Sequence, residues 1–118
     1  MKIMLVCFGG LSTSILVKKM EEAIAASEKF KNKGITIEAW GKDEYSDHLD
    51  NVSIVLLGPQ LSMAYEQVIE ATTERGLKVP VEVIDKEDYG NMNAVPILIA
   101  AFKKIKEAGT NTFTTEGN

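Results

Sequence analysis

The sequence predicts an α/β domain of three layers, an open four-stranded parallel sheet between helices. Three observations carry this. Four short apolar runs, Lys2 to Cys7, Ile35 to Trp40, Val52 to Leu57 and Val79 to Ile84, are spaced along the chain. Segments with helical spacing of apolar residues separate and follow them. The first and third runs are almost continuously apolar (Ile3-Met4-Leu5-Val6 and Ile54-Val55-Leu56-Leu57), whereas the second and fourth alternate. Strands buried on both faces read like the first kind and edge strands like the second. Two central and two edge strands joined by right-handed crossovers fit the order 2-1-3-4.

The helical segments follow in turn. Leu16, Met20, Ala23 and Phe30 fall on one face, with Lys18, Lys19, Glu21 and Glu22 between them. Leu61, Tyr65, Val68 and Thr72 repeat the pattern up to Gly76. Leu98, Ala101, Phe102 and Ile105 make a third stripe, and Pro96 is tolerated in its first turn. Residues 41–51 are polar and fit a loop or a short helix. The domain is expected to span residues 1–108, and the polar stretch 109–118 to fray as a disordered tail. No internal repeat or low-complexity segment is visible.

Composition narrows the function. A chain of 118 residues that is 45% hydrophobic fits one domain with its own core. The 13 basic residues are scattered among 17 acidic ones, for a formal charge of -4, so no basic face for nucleic acid is expected. No segment approaches the ~20 apolar residues of a membrane span, so no direct membrane insertion is expected. The run Ile3 to Phe8 is short for a signal-peptide core and ends in Gly-Gly. One cysteine cannot form an internal disulfide, which suits a reducing, cytoplasmic setting.

In an open parallel sheet of this order the topological switch lies between the first and third strands, and ligands bind at the carboxyl ends there. The residues at those ends are Cys7-Phe8-Gly9-Gly10-Leu11-Ser12-Thr13-Ser14 and Gly58-Pro59-Gln60. Gly9 and Gly10 permit positive φ and close approach to a ligand. Ser12 or Thr13 can cap the helix that follows. Backbone N–H groups in such a turn form an anion nest, reinforced by the helix dipole. A cysteine beside them is favoured as thiolate. An isolated Cys after apolar residues is usually core packing. Gly-Gly and Ser-Thr-Ser next to it instead place Cys7 at a strand end, so one loop offers a nucleophile and a phosphate cradle.

Other candidates have plainer readings. His48 lies in a polar stretch and reads as an ordinary surface side chain. One His and one Cys are too few for a structural zinc site, and no metal or other cofactor is expected. Gly58, Pro59 and Gln60 can start a helix, or Gln60 can reach the phosphate loop or a partner. Asp85 ends a strand, where it can stand near Cys7 or cap the turn Asp85-Lys86-Glu87-Asp88. Tyr89-Gly90 can close the rim of the sheet. Trp40 and Tyr45 read as rim packing.

The loop resembles two families. Its Cys-x5-x-Ser frame is similar to that of the low-molecular-weight tyrosine phosphatases and arsenate reductases, whose fold the domain is expected to share. Their loop reads Cys-x5-Arg-Ser/Thr, and Thr13 stands here at the arginine position. That arginine grips the transferring phosphoryl group. Its absence argues against a phosphatase or arsenate reductase, the alternative reading, and suits a carrier that must keep a thiophosphate.

A closer resemblance covers roughly Lys2 to Ala108. Cys7 with Gly10 and Ser12-Thr13-Ser14, then Val55 to Gln60, then Pro80 to Asp85 with Tyr89-Gly90, are similar to the IIB components of the sugar phosphotransferase system, lactose/chitobiose (cellobiose) type. Phe8 and Leu11 fall where that family often has a small residue and a methionine. The resemblance implies a phosphocarrier. A phosphohistidine on a IIA protein donates to Cys7, with Phe8, Gly9, Gly10, Leu11, Ser12, Thr13 and Ser14 forming the cradle. The phosphoryl group then passes to a sugar held by the membrane component IIC. A β-linked disaccharide such as cellobiose, chitobiose or lactose is what the resemblance suggests. Gly58, Pro59, Gln60, Asp85 and Tyr89 are expected to support the loop or meet a partner. A carrier visiting two partners in turn is expected to be a monomer.

Overall fold

The computed structural model describes residues 1–8 and 11–117, with residues 11, 12 and 110–117 described by their backbone alone. Strand β1 (Lys2–Cys7) leads to helix α1 (Leu11–Ala26), then β2 (Thr36–Gly41) and a 3-10 turn at Tyr45–His48. Strand β3 (Ile54–Leu57) is followed by a kinked 3-10 segment, Pro59–Ala64, and α2 (Tyr65–Glu74). Strand β4 (Val81–Val83), a short helix α3 (Lys86–Gly90) and α4 (Ala94–Gly117) complete the chain. The four strands form one parallel sheet in the order β2-β1-β3-β4, as the pattern of apolar runs predicts.

Burial follows that pattern closely. Every residue of β3 and all but Lys2 of β1 are buried, while β2 and β4 each keep partly wet positions. Side chains alternate across the sheet. Ile3, Leu5, Cys7, Ile54 and Leu56 point to one face and pack with Leu16 and Met20 of α1 and Leu98 and Ala101 of α4. Met4, Val6, Val55 and Leu57 point to the other and pack with Leu61, Val68, Tyr45 and Leu49. The stacked rings of Phe30 and Phe102, centroids 4.4 Å apart, close the far end of the first layer.

The elements differ from expectation in four places. β3 and β4 are shorter than their apolar runs. Val52 is taken by a turn to Leu49, and Pro80 has no N–H to give a ladder. The segment before α2 is 3-10, with Leu61 off helical geometry at φ -109°, because Pro59 opens it directly after the strand. Lys86–Gly90 is a helical turn where a polar turn is expected. The backbone of α4 runs on through 109–117, the stretch expected as a tail.

Candidate phosphoryl-binding site

The strand ends converge as the parallel register requires. Cys7 lies opposite Gly41 on β2, and Val6 opposite Leu57 on β3. The N–H of Gly58 continues the ladder by donating to the Val6 carbonyl at 3.0 Å. Gly58 therefore sits beside Cys7. A Cβ built on Gly58 would lie 3.5 Å from Cys7 Sγ, 3.2 Å from Gln60 Oε1 and 3.8 Å from Tyr89 Cε2. The backbone there is extended, at φ -60° and ψ 150°, so conformation does not require glycine; an added Cβ would press on Gln60 Oε1 and lie at ordinary contact distance from the Cys7 sulfur and the Tyr89 ring.

Cys7 is the last residue of β1 and is only 3% exposed. The strand-end placement matches the sequence reading, but the thiol is more enclosed than a loop-mouth position implies. The phenol of Tyr89 donates to Sγ across 3.9 Å. Tyr89 reaches the sulfur because of how α3 is built. Asp85 Oδ2 accepts from the N–H groups of Glu87 and Asp88, each at 3.1 Å, and caps the helix. The Tyr89 N–H in turn donates to the Asp85 carbonyl at 2.9 Å. So the capping reading of Asp85 describes its bonds, and its carboxylate is engaged with α3.

The loop residues are placed as follows. Gly9 and Gly10 lie outside the described residues. Leu11 and Ser12 open α1, so Ser12 and Thr13 fall inside its first turn and neither is the cap that the sequence suggested. Phe8 is 61% exposed beside the buried cysteine. Ser14 is exposed. Thr13 is 5% exposed, and its buried Oγ1 has no hydrogen-bond partner among the described residues. A desolvated hydroxyl without a partner costs about 1–3 kcal/mol, and such groups mark sites built for something else.

A groove of about 460 Å³ opens beside this cluster, lined by Pro59, Gln60, Lys86, Tyr89 and Gly90. It unites residues from two strand ends that the sequence analysis named separately. Lys86 was missed, because a lysine inside an acidic run gives no signal of facing a groove. No group of His, Cys, Asp and Glu that could hold a metal occurs among the described residues. The His48 ring is stacked on Trp40 near the end of β2, centroids 3.5 Å apart.

Comparison with known proteins resolves what this geometry belongs to. Residues 2–100 match the family model of the lactose/cellobiose-specific IIB subunit of the phosphotransferase system. The chain belongs to that family. It is thus a sugar-system phosphotransferase component of the IIB type. It is 33% identical over 108 residues to the cellobiose-specific EIIB component of Lactococcus lactis subsp. lactis, covering 84% of this chain and 91% of that one. It is 34% identical over 91 residues to the oligo-beta-mannoside-specific EIIB component of Bacillus subtilis, with 75% and 81% covered. Among solved structures, the cellobiose-specific phosphotransferase IIB component from Borrelia burgdorferi superposes with a TM-score of 0.70 at 35% identity, over 92% of this chain and 94% of that one. The lactose-specific IIB domain of Streptococcus pneumoniae shares the fold at 13% identity and a TM-score of 0.59, with 97% and 95% covered. IIB membership implies partnership with IIA and IIC components. No helix of the described residues is long and apolar enough to cross a membrane, so this IIB subunit contains no span of its own there.

Proposed function

We propose that this IIB subunit carries a phosphoryl group on Cys7, taking it from a IIA phosphohistidine and giving it to a sugar bound by the membrane component IIC. The observation that carries the reading is the pairing of a buried Cys7 at the end of β1 with a buried Thr13 hydroxyl in the first turn of α1 that has no partner among the described residues. A nucleophile and an unused donor stand on either side of the same short loop.

The chemistry is two displacements at phosphorus. In the first, the Cys7 thiolate attacks, the N–P bond breaks, and its electron pair stays with the histidine nitrogen. In the second, the sugar hydroxyl attacks, the S–P bond breaks, and the pair returns to Sγ, while the hydroxyl proton passes to a base beside the sugar in IIC. The loop Phe8, Gly9, Gly10, Leu11, Ser12, Thr13 and Ser14 would hold the phosphoryl oxygens by N–H and hydroxyl groups, each a charge-assisted bond. With Thr13 in the arginine position and the Asp85 carboxylate engaged with α3, the loop arginine and the free carboxylic acid of a phosphatase have no counterpart at these two positions. That supports a carrier over a phosphatase. Gly58, Pro59, Gln60 and Tyr89 form the opposite wall.

The sugar we propose is a β-linked disaccharide, in keeping with relatives named for cellobiose and oligo-beta-mannoside. The carrier works from the cytoplasmic side, as a monomer whose active edge is free for each partner in turn. Membrane vesicles bearing the IIC component test this. Phosphorylated protein should discharge when cellobiose is added and stay loaded with a sugar alcohol such as mannitol. Discharge without any sugar would refute the carrier assignment.

A further inference from the structure

We propose that Tyr89 sets how readily Cys7 gives up its phosphoryl group, by donating a hydrogen bond to sulfur when the S–P bond breaks; this rests on the phosphocysteine reading above. Among the described residues the structure records one side-chain donor to Cys7 Sγ, the Tyr89 phenol at 3.9 Å. Both groups are buried, Cys7 at 3% and Tyr89 at 9% exposure. The contact spans 82 residues of chain, so it is held by the fold and not by local sequence. The Asp85 cap fixes the turn that delivers it.

The energetic consequence has a sign. When the S–P bond breaks, its electron pair comes onto sulfur, where the buried phenol is placed to donate. In the loaded carrier the charge lies on the phosphoryl oxygens, and the bridging sulfur is a poor acceptor. The phenol therefore stabilises the unloaded thiolate more than the thiophosphate. It tilts the equilibrium toward release, as a relay intermediate requires. The proton of the phenol stays on oxygen throughout, and both displacements balance as written above. Hydrogen bonds to charged groups contribute about 1.5–3 kcal/mol. At 3.9 Å the lower end applies, a factor of roughly 10 in the loading equilibrium.

The test is an equilibration of the chain with a fixed ratio of phosphorylated to free IIA protein, read by intact mass. Tyr89→Phe keeps the ring and removes the donor. The loaded fraction should rise, with an equilibrium constant roughly 5–10 times that of the unsubstituted chain. A ring-fluorinated tyrosine at position 89 is a stronger donor with the same shape, and should lower the loaded fraction. Opposite shifts in the two variants are something a merely structural role does not produce. A loaded fraction that is unchanged or lower in Tyr89→Phe overturns the proposal and leaves the phosphocysteine reading standing. Absence of any phosphate on the unsubstituted chain overturns both.

Discussion

Thr13→Val should make the resting protein more stable and the loaded protein less so. The threonine is 5% exposed and its Oγ1 has no partner among the described residues, so the hydroxyl is desolvated without a bond gained from them. Valine has nearly the same shape, and the two residues have similar helix propensity. Removing an unsatisfied buried hydroxyl should relieve about 1–2 kcal/mol, the lower part of the usual range because the position is near a helix end. For a domain of this size each kcal/mol moves the melting midpoint by roughly 3–6 °C. Urea unfolding of both forms, without phosphate, measures the first effect as a higher midpoint at constant m. Loading should respond the other way. If the hydroxyl donates to a phosphoryl oxygen, its loss costs about 1.5–3 kcal/mol, a fall of roughly 10- to 100-fold in the loading equilibrium against phosphorylated IIA protein. A Thr13→Val chain that unfolds at lower urea would mean that the hydroxyl has a partner in the resting state. Loading unchanged by the substitution would remove Thr13 from the cradle.

Other perturbations probe the frame around the site. Leu56→Ala, at 1% exposure in the middle of β3, should cost about 2–5 kcal/mol by denaturant unfolding while leaving the loading equilibrium near its normal value. Asp85→Ala removes the cap of α3 and should cost about 1 kcal/mol; because α3 delivers Tyr89, amide exchange at Glu87 and Asp88 should quicken. Tyr45 has its pKa raised above 10.0 by burial, an effect that the Arg75 charge partly offsets. The unfolded chain therefore loses this proton first, so the contribution to stability is complete below about pH 10 and is lost as pH rises through the folded value. Tyr45→Phe should flatten that alkaline fall, measured as stability against pH from 8 upward.

The fold was legible because its strands differ in kind. Ile3 to Val6 and Ile54 to Leu57 lack polar interruptions, and only central strands of a parallel sheet bury both faces, so the continuous runs single out strands 1 and 3 as central and fit the order 2-1-3-4. The end of α1's partner strand was equally clear, since Gly-Gly after Cys7 marks where the strand stops. Helix α3 was not visible as a helix, because five residues make less than two turns and show no period. The capping role of Asp85 could be read, but not that the turn it starts would carry Tyr89 across to Cys7. That contact depends on β4 lying next to β3, a tertiary fact with no local signature. Thr13 illustrates the same limit. Its place in the loop frame is plain in the sequence, whereas its burial without a partner among the described residues appears only when the helix is seen to start at Leu11. The neighbouring Ser14 has the same chemistry and points to solvent.

In the proposed function, Cys7 Sγ is the atom that holds the phosphoryl group. Mass spectrometry of the chain after incubation with phosphorylated IIA protein tests it most directly, with fragmentation under conditions that spare the S–P bond. The account predicts a single added phosphate, placed on the fragment containing Cys7 and absent from Cys7→Ser. A phosphate that survives in Cys7→Ser, or that maps to His48 or to any serine or threonine of the α1 turn, would contradict it.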